Sequence, residues 1–399
     1  MALVAWLYWG LKHFVRREMH KVLRSDHIFD GQALLSNHAL IVDGGYIADV
    51  LPINEVPESL PVNYSGPNVT LVPGFNDLQV NGGGDVLFND LPTVEGLQTI
   101  ASVHRRHGTT GMLPTLISDD VLTMKKAIEA VSDAHQRVPE VLGIHLEGPF
   151  LSRERSGIHN SAKLRSIGTG DIEFVSSLSS GVTLLTLAPD AVSPSHIREL
   201  SQRGVHVFAG HSDANYEDTK VAVTAGVKGF THLFNAMSPM QTRAPGMVGC
   251  ALECEESWVG LIADGHHVHP ALLKLAIRAK AAGKVFLVTD AMPSVGSSRA
   301  SFSLDGELIS TRDGCNYNER GVLAGSDLDM CSAVNNLVDM CDVDWLEALR
   351  MASLYPAQAI GLGHSLGRLT KGYRANIVAL NEARQVVESW VDGSDMSEN

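Results

Sequence analysis

Eight short apolar runs recur between residues 74 and 289 of this chain, and most are separated by segments of helical character. Segment 194–204 is typical, since Ser193 stands before it as a candidate cap and Gly204 ends it. Strands that alternate with helices predict a parallel sheet, and eight of them predict a TIM-like (β/α)8 barrel. A doubly wound sheet is the alternative, but no G-x-G-x-x-G turn follows the first run. The runs lie at residues 74–80, 111–116, 141–146, 182–187, 205–209, 229–233, 259–263 and 285–289.

Two parts of the chain depart from this alternation. Near the ends, residues 38–50 predict two strands around an Asp43-Gly44 turn, and further short strands are predicted at 68–72, 375–380 and 386–390. These strands predict one small β-sandwich domain built from both chain ends. The connection 235–256 shows no clear helix, and a long loop of this kind often meets substrate. The expected division is an extension at 1–25, the β domain at 26–73 and 359–393, and the barrel at 74–358.

Charge and cysteine content narrow the classes of partner and compartment. Lys and Arg number 31 against 45 Asp and Glu, a net charge of −14, which argues against nucleic acid or an anionic membrane as partner. Five scattered cysteines without a Cys-x-x-Cys pair predict free thiols and a cytoplasmic location. No apolar run reaches the roughly 18 residues of a membrane-spanning helix. The apolar residues 2–9 and the basic residues after them are interpreted as part of the extension, not as a membrane anchor.

Ionisable side chains stand at the ends of four of the predicted strands. Glu147 follows the third run, His211 follows the fifth, His232 lies near the end of the sixth, and Asp290 follows the eighth. Because the strands of such a barrel all end at one mouth, these four side chains are expected to meet there. Two neutral imidazoles and a carboxylate form a site for a divalent cation such as zinc or iron. Each residue alone could be a hydrogen-bonded core group or a cap, but four at one end of four strands favour a functional site.

A set of short motifs appears in order between about residues 26 and 393. The set resembles the N-acetylglucosamine-6-phosphate deacetylases, a family of metal-dependent amidohydrolases. The resemblance implies hydrolysis of N-acetylglucosamine 6-phosphate to glucosamine 6-phosphate and acetate, in amino-sugar catabolism. The motifs are HLEGPF at 145–150, GIHN at 157–160, GHS at 210–212, THLFNA at 231–236, RAPG at 243–246, IADGHH at 262–267, VTD at 288–290 and LAGS at 323–326.

The resemblance also implies roles for single residues. Glu147, His211 and His232 correspond to the family's metal ligands. Asp290 corresponds to its catalytic acid/base, and His159 corresponds to the histidine beside the substrate's amide. The residues that match its substrate contacts are Gln79, Ile158, His159, Asn235, Ala236, Arg243, His267, Leu323, Ala324 and Gly325. The resemblance further implies a homodimer or higher homo-oligomer, in which the matching Arg243 and His267 reach the phosphate bound by the adjacent subunit.

One departure from the wider superfamily concerns the end of the first strand. Many amidohydrolases carry a His-x-His pair there, which supplies a second metal. In this chain the two positions are Gln79 and Asn81, and amides are poor zinc ligands beside imidazole. We therefore expect each subunit to hold one divalent metal ion, zinc. Gln79 is expected to line the mouth or to hold a water.

Three alternatives stay open. The substrate could be the galactosamine epimer, because the two sugars differ at one hydroxyl whose contact the sequence does not locate. The reaction could be cyclic amide hydrolysis, although that activity usually accompanies the His-x-His pair and does not explain Arg243. The chain could also bind a sugar phosphate without catalysis, which the presence of Asp290 beside three candidate ligands argues against.

Overall fold

The N-terminal part of the chain forms two small β-sheets. The computed structural model describes residues 21–395. One sheet has four strands in the order β5-β4-β1-β6, and the other pairs β7 and the β2–β3 hairpin with strands from the C-terminal end. The strands are β1 (Lys21–Arg24), β2 (His27–Phe29), β3 (Leu34–Ser36), β4 (His38–Asp43), β5 (Tyr46–Pro52), β6 (Val62–Tyr64) and β7 (Thr70–Pro73).

Strand β1 corrects the expected domain boundary. The sequence analysis assigned residues 1–25 to an extension, but Val22 and Leu23 are buried and β1 pairs with β4 along its whole length. The assignment is therefore wrong for residues 21–25. The predicted segment 2–9 lies outside the described residues.

The barrel is an eight-stranded parallel sheet whose strands follow one another in chain order. After β8 (Phe75–Val80) come a short ribbon, β9 (Gly82–Gly83) and β10 (Val86–Leu87), and the remaining seven strands. The seam between the first and last strands is closed by the bridge from Val80 to Ala291 and by the hydrogen bond from Asp290 N–H to Gln79 O at 3.0 Å. The remaining strands are β11 (Thr109–Ile117), β12 (Gly143–Glu147), β13 (Val182–Leu187), β14 (His206–Ala209), β15 (Gly229–Phe230), β16 (Trp258–Ile262) and β17 (Val285–Val288).

Helices cover the outside of the barrel, and several begin at a side chain that caps them. Thr93, Asp120, Ser193 and Asn215 each accept a hydrogen bond from a backbone N–H in the first helical turn. Within residues 21–395, no helix combines the length and apolar character needed to cross a membrane. The helices are α1 (Val94–Arg105), α2 (Val121–Ala134), α3 (Asp171–Val175), α4 (Pro194–Gln202), α5 (Tyr216–Ala225), α6 (Gly246–Glu253), α7 (Pro270–Ala279), α8 (Met330–Cys341), α9 (Trp345–Ala352) and α10 (Leu354–Ala359).

Helix α6 contradicts the prediction that residues 235–256 contain no clear helix. Gly246 and Gly249 lower the local helix propensity, so the sequence pattern did not predict this helix. Six of its eight residues are buried, so packing against the barrel stabilises it in spite of that propensity.

An antiparallel sheet inserted after β17 was not predicted. It contains β18 (Ser301–Leu304), β19 (Glu307–Arg312), β20 (Cys315–Asn318) and β21 (Leu323–Ser326). The chain then returns to the small domain through β22 (Ile377–Leu380), β23 (Val386–Val391) and β24 (Ser394–Asp395). Strand β22 pairs with β7, so both chain ends build one six-stranded sheet, as the sequence pattern predicted.

Candidate metal centre and substrate cavity

Three ligand-type side chains converge at the mouth of the barrel. Glu147 is the last residue of β12, His211 lies two residues beyond β14, and His232 lies two residues beyond β15. Glu147 Oε1 is 3.0 Å from His232 Nε2 and 3.3 Å from His211 Nε2, and the two nitrogens are 3.0 Å apart. Among the residues that the structure describes, no other three His, Cys, Asp or Glu side chains group in this way.

The backbone at these positions is unusual. His211, His232 and Asp290 adopt positive φ angles of 48°, 31° and 54°, a region that residues other than glycine rarely occupy. Such conformations cost energy, and they are often found at functional sites, where a side chain must point in a particular direction. The turns at the strand ends therefore aim all three side chains into the mouth.

The donor set fits a divalent cation. One carboxylate oxygen and two imidazole nitrogens, all buried, point at a common centre, a combination typical of zinc or iron sites. The second nitrogen of His211, Nδ1, contacts Arg155 O at 2.9 Å, as ligating histidines commonly contact a carbonyl. Burial opposes ionisation of Glu147, but the two imidazoles outweigh it and hold the pKa of this carboxyl well below its usual range.

The Asp290 carboxylate is held beside this centre by two amides. Gln79 Nε2 and Asn81 Nδ2 both donate to its Oδ1, at 3.0 and 2.7 Å, and Gln79 Nε2 also contacts Glu147 Oε1 at 3.1 Å. Burial and the negative charge of Glu147 raise the pKa of Asp290. The two residues that stand where a His-x-His pair is common therefore orient a carboxylate. Sequence reasoning missed this contact for Asn81, although a polar residue at a strand end was a signal.

His159 lies on the other side of Glu147. Its Nε2 is 3.8 Å from Glu147 Oε2, and its ring centroid is 4.5 Å from that of His211. The Ser118 backbone N–H and hydroxyl contact Nδ1 at 3.3 and 2.8 Å, so Nδ1 accepts and the proton sits on Nε2. Burial lowers the pKa of His159 to about 3, so the ring is neutral.

These groups form the floor of a cavity of about 170 Å³. Predicted contact residues that line it are Ile158, His159, Asn235, Ala236, His267, Leu323 and Gly325. Gln79 lies beneath the lining through its contacts with Glu147 and Asp290, and Ala324 is buried in a hydrophobic cluster behind the wall. Lining residues that sequence reasoning did not identify as contacts are Asn81, Ile117, Gly157, Met292 and Val322.

The two predicted phosphate contacts differ in placement. His267 lines the cavity, and its Nδ1 is 2.5 Å from Asp264 Oδ2, which fixes the ring. Burial opposes ionisation of Asp264, but the contacts with His267 lower its pKa. Arg243 is exposed, is absent from the lining of the cavity in its own chain, and makes no ion pair within residues 21–395.

Residues 70–394 match the amidohydrolase family, and residues 23–64 match the NagA composite domain. The chain belongs to the amidohydrolase family. The predicted resemblance to a family of amidohydrolases and the predicted TIM-like barrel with a small β domain are both confirmed.

This amidohydrolase is similar over most of its length to sugar-phosphate deacetylases. It is 42% identical to an N-acetylgalactosamine-6-phosphate deacetylase of Shewanella sp. (strain ANA-3), over 81% of this chain and 82% of the relative. A second N-acetylgalactosamine-6-phosphate deacetylase, of Escherichia coli O157:H7, is 34% identical, over 94% of this chain and 99% of that protein. The crystal structure of N-acetylglucosamine-6-phosphate deacetylase from Pasteurella multocida superposes with a TM-score of 0.91 at 34% identity, over 94% of this chain and 99% of that chain.

Proposed function

We propose that this amidohydrolase hydrolyses N-acetylglucosamine 6-phosphate to glucosamine 6-phosphate and acetate. The observation that carries the proposal is the Asp290 carboxylate, which two amides hold beside three converging metal-ligand side chains. A proton acceptor in this position is needed for hydrolysis and has no purpose in a protein that only binds sugar phosphates. The similarity to named sugar-phosphate deacetylases supports the substrate class.

We infer that Glu147, His211 and His232 hold one divalent metal, and the donor set favours zinc. Such an ion supplies Lewis-acid chemistry: it makes a water acidic near neutral pH and polarises a carbonyl. The amides of Gln79 and Asn81, where a second ion would require imidazoles, support a single metal.

The chain's own residues then move the proton and orient the substrate. Asp290 accepts the proton of the attacking water and passes it to the departing amine nitrogen. Its Oδ1 is already held by two amide donors, so the carboxylate does not reorient between the two transfers. His159 is neutral with its proton on Nε2, so it can donate to the carbonyl oxygen as negative charge develops there.

We infer that Arg243 and His267 bind the phosphate of the substrate, which lies far from the amide. His267 reaches the cavity of its own chain, whereas Arg243 is exposed and does not line it. That difference supports a homodimer in which Arg243 completes the site of the adjacent subunit. The net charge of −14 makes a local cation more important, because the overall field repels a phosphorylated sugar.

Free cysteines at positions 250, 254, 315, 331 and 341 support a cytoplasmic location.

Acetate release from a panel of N-acetylhexosamines tests the proposal. N-acetylglucosamine 6-phosphate is expected to react, and unphosphorylated N-acetylglucosamine is expected to react poorly. The galactosamine epimer is the second candidate, favoured by the 42% identity to an N-acetylgalactosamine-6-phosphate deacetylase. If no phosphorylated sugar releases acetate, two alternatives remain: a cyclic amide hydrolase and a noncatalytic binding protein. Hydrolysis of dihydropyrimidines would distinguish the first from the second.

A further inference from the structure

One wall of the substrate cavity is formed outside the barrel by the sheet β18–β21, which we call the wall sheet. Its last strand carries Leu323 and Gly325, which line the cavity. The sheet packs through a hydrophobic cluster separate from the barrel core, whose buried members are Leu87, Ile117, Met292, Leu304, Ile309 and Ala324. Six side chains bury far less apolar area than the barrel core does, so polar contacts at the edge of the wall sheet weigh more in holding it.

The loop between β12 and α3 meets the wall sheet and carries other residues of the cavity. Ile158 of this loop lines the cavity and packs against the cluster of the wall sheet. Further along the loop, Lys163 Nζ contacts Asp119 Oδ1 at 2.9 Å and Asp305 Oδ1 at 2.6 Å. Asp119 follows β11, and Asp305 lies in the turn between β18 and β19. One ammonium group therefore joins three segments that surround the cavity.

The Asp119 side of this cluster is anchored to the barrel. The Asp119 side chain is 7% exposed, and its Oδ2 accepts a hydrogen bond from Asn89 Nδ2 at 2.8 Å. Asn89 is itself held by the backbone of β11. Ser118, the preceding residue, contacts His159 Nδ1. The segment 157–163 is thus held at two points against the end of β11, and one of these points also reaches the wall sheet.

The ammonium group of Lys163 offsets the repulsion among the carboxylates that surround it. Burial opposes the charge on Lys163, but its contacts with Asp305 and Asp119 outweigh burial and raise its pKa. Asp90 is a third carboxyl group near this cluster. Burial and the negative charges of Asp305 and Asp119 raise the pKa of Asp90. Without the ammonium group, three carboxylates would repel one another in a partly buried place where salt screens them incompletely.

We propose that Lys163 is a positioning residue: it holds the wall sheet and the loop carrying Ile158 and His159 at the spacing that substrate binding requires. The structural part of this proposal does not depend on the reaction. Its kinetic part rests on the proposed deacetylase function.

Hydrogen–deuterium exchange of the metal-loaded protein without substrate tests the structural part. Amides of residues 301–312 are expected to exchange roughly fivefold faster in Lys163→Met and in Asp305→Asn. Asparagine tolerates the φ of 50° at Asp305, so this change removes the charge and keeps the turn. The double variant should exchange no faster than Lys163→Met, because the lysine substitution alone already removes the Lys163–Asp305 contact that Asp305→Asn weakens. Lys125→Met, which removes an exposed pair with Glu129, is the matched control and should leave these amides unchanged.

Unchanged exchange in Lys163→Met, or additive effects in the double variant, would overturn the proposal. The kinetic part predicts that Lys163→Met raises KM roughly fivefold and changes kcat less than about twofold. The metal ligands and Asp290 lie at the ends of barrel strands, and His159 keeps its own contacts with Ser118, so the reacting groups stay in place. Lys163→Arg keeps the charge and should restore KM, whereas a fall in kcat at unchanged KM contradicts the positioning role. If the wild-type protein releases no acetate, the proposed function fails, while the exchange data still decide the role of Lys163.

Discussion

Asp77 accepts two hydrogen bonds from Thr289, across the seam where the first and last strands of the barrel meet. The Thr289 backbone N–H donates at 3.2 Å, and its hydroxyl donates at 2.5 Å. Burial raises the pKa of Asp77 to about 7, although these hydrogen bonds and one from the Gln79 N–H oppose the shift. The contact closes the barrel one residue before Asp290, so a buried carboxyl group helps to place the proposed acid/base.

Replacing Thr289 with valine should destabilise the protein. The change keeps the shape of the side chain, but it leaves a buried Asp77 oxygen without the hydroxyl donor. The expected loss in the free energy of unfolding is about 1–3 kcal/mol, measured by urea unfolding of the metal-loaded protein. Thr289→Ser retains the hydroxyl and is the control. Equal stability of the valine variant and the wild type would contradict the importance of this contact.

Removing one histidine ligand should remove the metal. His211→Ala or His232→Ala deletes one of only three candidate protein ligands, so both metal and activity should be lost. Elemental analysis of the purified wild type should give one divalent metal per chain. Two firmly bound metals per chain would contradict the role proposed for Gln79 and Asn81.

Asp290→Asn should retain the fold and the metal but lose turnover. The amide is nearly isosteric, yet it cannot accept the proton of the attacking water. General acid/base catalysis typically contributes about 10²–10⁴-fold, and one group here serves two transfers, so kcat should fall at least that far. Circular dichroism and metal content serve as controls. Near-native turnover at neutral pH would remove Asp290 from the mechanism.

Arg243→Ala should weaken binding of the phosphorylated substrate selectively. Losing a charge-assisted contact costs roughly 1.5–3 kcal/mol, or about 10–150-fold, and this should appear in KM. The KM for unphosphorylated N-acetylglucosamine should change little, which provides the internal control. An equal effect on both substrates would contradict a phosphate contact.

Mixed dimers test whether Arg243 acts on the adjacent subunit. Arg243→Ala chains and Asp290→Asn chains are each impaired, but a heterodimer with shared sites contains one intact site. Activity should therefore return when the two variants are refolded together or exchanged. Heterodimers that form but stay inactive would show that the phosphate is bound within one chain.

Acid should destabilise the fold partly through His104. This side chain is fully buried with Nε2 bonded to Gly82 O at 2.9 Å, and burial lowers its pKa from 6.5 to about 4. Between these pH values the unfolded chain binds a proton that the folded chain does not, so stability falls as pH drops through this window. The resulting decrease in the free energy of unfolding is on the order of 3 kcal/mol. His104→Gln should flatten the dependence of unfolding free energy on pH between 6.5 and 4.5, and an unchanged slope would contradict this.

Local patterns were sufficient for the barrel and for the chemistry of its mouth. Short apolar runs predict the barrel strands because a strand that is buried on both faces needs apolar side chains at successive positions of the chain. Glu147, His211, His232 and Asp290 were found because every strand of a parallel barrel ends at the same mouth. Helix α6 and strand β1 were missed for the opposite reason, since packing against distant elements stabilises them more than their own propensity does.

The tertiary structure alone decided which residues act on one another. Asn81 reaches Asp290 across 209 positions of the chain, and Lys163 reaches Asp305 across 142. Neither contact has a local pattern, because the distance between two such side chains depends on how whole strands and loops pack. The same holds for Arg243, whose motif indicated a substrate contact while the fold leaves it exposed and away from its own cavity. The sequence therefore determined the kinds of groups at the site, and packing determined their partners, since hydrogen bonds and ion pairs depend on separation in space rather than along the chain.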